Sequence, residues 1–302
     1  MRKQTEIDPA VRTTSAPITA VVLSAFLVLT LAACIGGRKP LSGPDVKITP
    51  SAAIRVLSVA PIAEVHDVAN RGISVRVLVE GSAQSTAVVI LFAGGRGVTK
   101  ISDQGLIGRL KGNFLVRSRY RFRAHGFMTA IFDSPSDWVE DLRPIHDGTA
   151  FASDVGAVIR HLRSLYDLPV WVIGTSRGTV AAANAASRLG KNKPDGAVFT
   201  ASLFDGNQTA SVFDLPLEKV QIPSLIVHHK KDACVYTWPG DVPRFKERLS
   251  QAKAVDVMWF DGGYSRGDDC QARSYHGFNG IEDRVVAMIA QWIKKSPPAA
   301  SP

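Results

Sequence analysis

The run Val170-Trp171-Val172-Ile173 ends in Gly174-Thr175-Ser176-Arg177-Gly178, and the alanine-rich stretch Val180–Ala186 follows at once. A short, apolar, largely β-branched run reads as a buried strand, and alanine is the best helix former. A strand, a G-x-S-x-G pentapeptide and a helix in immediate succession leave little choice of local geometry. The serine sits on a sharp, strained turn. Its glycine neighbours come close to adjacent backbone, where a Cβ would clash. Such a turn pushes the Ser176 hydroxyl out of the sheet edge. It also leaves the Arg177 N–H unpaired at a helix N-terminus, where it can meet an oxyanion. Ser176 is therefore a candidate nucleophile. Three fixed residues also recur by chance in glycine-rich chains, so a base and an acid are needed to support it.

Strands and helices alternate around that stretch. Ile54–Ala60 and Ile73–Glu80 read as strands joined by a loop over Asp67–Gly72, an antiparallel opening to the sheet. Thr86–Ala93 is apolar throughout, as in a strand buried on both faces. A crossover helix over 113–125 leads to a strand at Phe127–Phe132. Gly148–Tyr166 is a helix with Phe151, Val155, Val158, Ile159 and Leu162 on one face. After the serine helix come strands at Gly196–Phe204 and Pro223–His228, a helix at Asp241–Ala252, a strand at Ala254–Phe260 and a closing helix from Ile281 to Lys294. This order predicts an α/β fold with a mostly parallel central sheet, helices on both faces and no large lid. A chain of 302 residues is long enough for one such domain, here placed at 54–296, with 297–302 as a disordered tail. In open sheets of this kind, sites lie at the C-terminal ends of the strands.

Several function classes are disfavoured. The formal charge is +9, but the positive residues are scattered and no nucleic-acid motif is present. The closest thing to a basic stripe, Arg117, Arg119, Arg121 and Arg123, reads as a solvated helix face or a surface near anionic lipid. Gly94-Gly95-Arg96-Gly97 has neither Walker A spacing nor G-x-G-x-x-G, so a nucleotide site is not expected. The turn is better read as supplying a second oxyanion donor, the Gly95 N–H. No cysteine or histidine cluster has metal-ligand spacing, and no cofactor is expected.

The first residues carry Arg2, Lys3 and Arg12, followed by a 16-residue apolar run from Ile18 to Ala33. That is a secretory leader, short for a membrane span. Leu31-Ala32-Ala33-Cys34 resembles the bacterial lipobox, which implies cleavage after residue 33 and lipid on Cys34. An ordinary cleaved leader and an uncleaved anchor are the alternatives. Ile35, where inner-membrane retention usually has aspartate, implies an outer-membrane destination if the source has one. Residues 34–53, rich in glycine and proline, read as a tether between a bilayer and the domain. The expected localisation is the bacterial cell envelope. Of three cysteines, Cys234 and Cys270 remain after Cys34, and an oxidising compartment favours a disulfide between them over two free thiols.

The acid and base follow Ser176 in chain order. Asp232 stands just past the second strand after the serine strand, and His276 in the loop after the third, before the final helix. Asp205, at the end of the strand nearer Ser176, is the rival acid; His228 and His229 are rival bases. Over residues 54–296 the pattern resembles the α/β-hydrolase superfamily, and within it the small esterases and dienelactone-hydrolase-like members. The turn Ala93-Gly94-Gly95 departs from the His-Gly-x often found there, and Arg177 is an unusually bulky neighbour for the nucleophile. The resemblance implies a Ser176–His276–Asp232 triad, an oxyanion hole at Gly95 and Arg177, a small ester or acyl substrate and no metal. It leaves peptidase, thioesterase and acyltransferase chemistry open, as well as a non-catalytic lipoprotein that keeps the scaffold for binding. The Arg177 side chain is expected either to pair with a carboxylate or to favour anionic substrates. The remaining carboxylates read as surface groups or caps.

Overall fold

The computed structural model describes residues 61–296. The expected leader, Cys34, the tether, the strand expected at Ile54–Ala60 and the tail at 297–302 lie outside the described residues. In chain order the elements are β1 (Ile62–Asn70), β2 (Ile73–Gly81), β3 (Val88–Phe92), α1 (Phe114–Ala124), β4 (Met128–Pro135), α2 (Thr149–Tyr166), β5 (Val170–Ser176), α3 (Gly178–Arg188), β6 (Gly196–Ser202), β7 (Ser224–His229), α4 (Val242–Arg248), β8 (Val255–Phe260) and α5 (Glu282–Lys295).

Alternation along β3 sets the layering. Val88, Ile90 and Phe92 face one side of the sheet, where α2, α3 and α4 contribute Phe151, Val158, the alanines of α3 and Phe245. Val89 and Leu91 face the other, against Phe114 and Phe122 of α1 and Val285 and Ile289 of α5. All five β3 residues are buried, so the strand reads as a continuous apolar run. Burying side chains of this size on both faces supplies the main driving force, about 1.5–3 kcal/mol each. The sheet runs β1-β2-β4-β3-β5-β6-β7-β8. Only the β1–β2 and β2–β4 pairs are antiparallel; every pairing from β4 to β8 is parallel. The carboxyl ends of β3, β5, β7 and β8 therefore open on one edge.

The opening hairpin differs from the sequence reading. Asp67–Asn70, expected in a loop, pair with Arg76–Ile73 as the end of β1. The turn is only Arg71-Gly72, both at positive φ (40° and 83°), which suits the twist of a two-residue hairpin. Among the described residues β1 is an edge strand with few buried residues, so its polar side chains resemble a loop. Asp67 forms a cross-strand ion pair with Arg76 at 2.7 Å. The arginine stripe of α1 is likewise paired rather than free. Arg117 meets Glu282, Arg119 and Arg123 both meet Glu80, and Arg121 meets Asp283. Three further carboxylates, expected at the surface, are buried: Asp133, Asp154 and Asp195. Asp154 takes Arg71 of the hairpin turn at 2.8 Å, fastening β1 to α2.

His228 of β7 is fully buried, its ring stacked on Phe204 at 5.7 Å. Burial pulls its pKa from 6.5 to about 4, and burial likewise pulls His146 down to about 3. Between those values and 6.5 the unfolded chain holds protons that the folded chain does not, so stability falls as pH drops through that window. His228 alone contributes up to about 3 kcal/mol of this loss. Thermal melts from pH 7 to pH 4 should show a falling Tm, and His228→Leu should make the fall shallower. An unchanged slope in the variant would show that His228 is not held neutral.

Candidate active site

β5 ends on Ser176, whose φ of 54° places a non-glycine residue in the left-handed region, a strained conformation that a surrounding structure must hold. Close approach of α3 holds it. A Cβ on Gly174 would strike the carbonyl of Gly178, and one on Gly178 would strike the carbonyl of Phe92. α3 can come this near because its buried residues are small: Ala181, Ala182, Ala183 and Ala185 are fully covered. Thr179 Oγ1 donates to Ser176 O at 2.5 Å and accepts from Leu203 N at 3.1 Å, tying the turn to the end of β6.

The loop after β3 lies beside this turn. A Cβ on Gly94 would stand 2.9 Å from Ser176 Cβ, so only glycine admits so close a pass. Gly95 follows at φ 65°. Among the described residues, neither the Gly95 nor the Arg177 N–H donates to a backbone acceptor. Both residues line a cleft of about 370 Å³ together with Ser176 and His276. Asp133, at the end of β4, holds the same loop further along. Its two oxygens accept from the N–H groups of Thr99, Lys100 and Ile101 at 2.7, 3.0 and 2.8 Å.

Asp232 and His276 meet under the cleft. His276 Nδ1 lies 3.0 Å from Asp232 Oδ2, and both side chains are almost wholly buried. Asp232 also accepts from Cys234 N at 3.1 Å and from Thr237 Oγ1 at 3.0 Å. Burial alone would raise the Asp232 carboxyl; the His276 bond and charge and the Cys234 N–H outweigh it and hold the group below its ordinary value. An ionised Asp232 fixes the proton on Nδ1 and leaves Nε2 as the acceptor. The His276 turn is set by Ser274, whose Oγ accepts from His276 N at 3.2 Å. Arg117 braces it from α1, donating to Gly277 O at 2.6 Å and to Gly112 O at 2.5 Å.

No family model matches the sequence, and no curated protein matches it. Solved structures match the fold. An esterase of Pyrococcus furiosus superposes with a TM-score of 0.56 at 13% identity, over 78% of this chain and 93% of its own. A dienelactone hydrolase from Anabaena variabilis gives 0.55 at 17% identity, over 78% and 98%. A serine hydrolase without a lid from Xanthomonas campestris gives 0.50 at 16% identity, over 78% and 97%. The chain has the α/β-hydrolase fold. Like the lidless example it carries no inserted domain: between β6 and β7 the described residues form only the short turns Val212–Asp214 and Leu217–Lys219.

Within this α/β-hydrolase fold the rival residues separate clearly. Asp205 is exposed, and its carboxylate accepts from Asn207 N rather than from a histidine. His228 is sealed in the core. His229 is engaged at both ring nitrogens, with Gly262 O at 2.9 Å and Lys231 N at 3.0 Å, and stacks on Tyr275. Arg177 departs from the expected carboxylate pairing. Its Nη1 donates to Gly206 O at 3.0 Å and to Thr209 Oγ1, and no carboxylate lies within ion-pair distance among the described residues. Asp141, whose charge acts on Arg177, is taken by Arg143 at 2.5 Å. Thr237, Asp133 and Arg117 were not legible as site residues, because each acts through a partner distant in sequence.

Cys234 and Cys270 form a disulfide across 36 residues of chain, with their Cα atoms 4.6 Å apart. The bridge joins the loop of Asp232 to the loop of His276, and both cysteines line the cleft. Closing a loop of this length is worth at most about 4 kcal/mol in chain entropy. Reduction, verified by thiol titration, should therefore lower Tm and speed amide exchange in 232–237 and 270–277 while the β3–β6 core stays protected. Exchange in those loops unchanged by reduction would show that the bridge does not restrain them.

Proposed function

We propose that the protein is a serine hydrolase that cleaves carboxylic esters through an acyl-enzyme. The observation that carries this reading is the buried Asp232–His276 pair opening on the same cleft as a serine held at positive φ. No hydrogen bond joins Ser176 to His276; in hydrolytic sites such bonds often tighten only when substrate is bound.

In this chemistry His276 Nε2 takes the Ser176 proton as Oγ attacks the ester carbonyl. Asp232 keeps the imidazole in its tautomer and stabilises the imidazolium that forms. The carbonyl oxygen gains its negative charge against the Gly95 and Arg177 N–H groups, each donor worth about 3 kcal/mol in the transition state. His276 returns its proton to the leaving alkoxide as the C–O bond breaks. Water, deprotonated by His276, then attacks the acyl carbonyl; the bond to Ser176 Oγ breaks, the acid leaves, and His276 returns the proton to Oγ. Thr237 is a positioning group in this scheme: its hydroxyl bonds the same Asp232 oxygen that orients His276. A cleft without a lid suits small, soluble esters.

Residues 1–53 complete the proposal: export, cleavage before Cys34, and a lipid anchor in the cell envelope. The Cys234–Cys270 disulfide supports an oxidising location. Purified protein lacking the leader and tether should hydrolyse 4-nitrophenyl esters of short acids, and Ser176→Ala should remove that turnover by at least about a thousandfold. Turnover that survives Ser176→Ala would reject the assignment.

A further inference from the structure

The cleft is nearly free of permanent charge. Its lining includes Leu110, Phe114, Leu203, Tyr236 and the disulfide, and among the described residues it contains no aspartate or glutamate. Among the described residues Arg177 is the single arginine or lysine on that lining. It is half-buried, and burial, followed by the repulsion of Arg143, pulls its pKa below the ordinary range. A half-buried cation without an ion-pair partner is costly to keep, and its position beside Ser176 asks for a partner that arrives with the substrate.

The way the guanidinium is anchored says what that partner is. Both protons of Nη1 are used, one toward Gly206 O and one toward Thr209 Oγ1. Thr209 Oγ1 donates in turn to Gly206 O at 2.7 Å. This pins the guanidinium plane against the segment after β6. The opposite edge, formed by Nε–H and the near proton of Nη2, bonds to no side chain or carbonyl among the described residues. Neither of these atoms is among the buried, unpartnered groups of the described residues, and Arg177 itself lines the cleft. Two parallel N–H donors on one edge of a fixed plane match the two oxygens of a carboxylate. Asp205, the remaining acid near the Arg177 charge, is turned to solvent and bonded to Asn207 N.

We propose that the free Nε/Nη2 edge of Arg177 binds a carboxylate on the substrate, so that the preferred esters carry a free carboxylate close to the scissile carbonyl. This rests on the hydrolase reading above and narrows it from esters in general to monoanionic ones. Arg177 then has two separate tasks: its backbone N–H faces the developing oxyanion, and its side chain selects the substrate.

The test uses two matched pairs of esters. Mono-4-nitrophenyl adipate is compared with 4-nitrophenyl hexanoate, which places the carboxylate on the acyl side. 4-Acetoxybenzoate is compared with 4-acetoxybenzamide, which places it on the leaving group. For the wild-type enzyme, kcat/KM should favour the anionic member of at least one pair by about tenfold or more, the effect of a charge-assisted bidentate contact. Added salt should narrow the ratio. Arg177→Gln keeps the backbone N–H and should bring the anionic-to-neutral ratio near one, chiefly through KM; Arg177→Lys should fall between. Equal kcat/KM within both pairs, or a ratio untouched by Arg177→Gln, overturns the proposal. In either case, neutral esters that are still cleaved in a Ser176-dependent way leave the hydrolase reading standing. Failure to cleave any of the four overturns both.

Discussion

The chain turns from β5 to α3 within a single residue, and the rest of the site depends on that turn. A side chain at such a junction can project from the sheet edge only if its backbone enters the left-handed region, and Ser176 does so. The strain is tolerable because α3 sits against β3 and β5 more closely than any Cβ at 174 or 178 would allow. The alanines of α3 and the glycines of the turn are thus parts of one packing solution. The sheet supplies the rigid base: β5 is flanked by β3 and β6, and all its residues before Ser176 are buried.

Around that fixed point three loops converge, with no lid among the described residues to hold them, and each has its own anchor. Asp133 gathers the loop after β3 through three backbone N–H groups. The Cys234–Cys270 bridge joins the loop of Asp232 to that of His276. Arg117, held by Glu282, braces the His276 turn and the Gly112 wall together from the side of α1. The anchors are a single carboxylate, a covalent bond and a largely buried cation. This keeps an open, solvent-facing cleft ordered, which preorganised electrostatic stabilisation of an oxyanion requires.

The framework was legible because it is written in local patterns. Apolar runs marked the buried strands, a one-sided stripe marked α2, and the spacing of Ser176, Asp232 and His276 relative to successive strands matched where the structure places them. The first hairpin departs from its sequence pattern for a physical reason: β1 lies at the sheet edge among the described residues and its outward residues are polar, so periodicity fades where burial does. The anchors were illegible for another. Nothing near Asp133 in sequence says that it will face residues 99–101, and nothing near Thr237 says that it shares an oxygen of Asp232 with His276. Arg177 shows the same limit, since its expected carboxylate partner is replaced by Gly206 O and Thr209.

The proposed role of Ser176 is that of an activated nucleophile facing an oxyanion site. The most direct measurement is covalent: treat the folded protein with a fluorophosphonate probe and identify the modified peptide by mass spectrometry. One phosphonyl group on Ser176, lost in His276→Ala although that variant retains the native circular dichroism spectrum, is the expected result. A folded protein that takes up no probe, or takes it up on a serine other than Ser176, would contradict the claim.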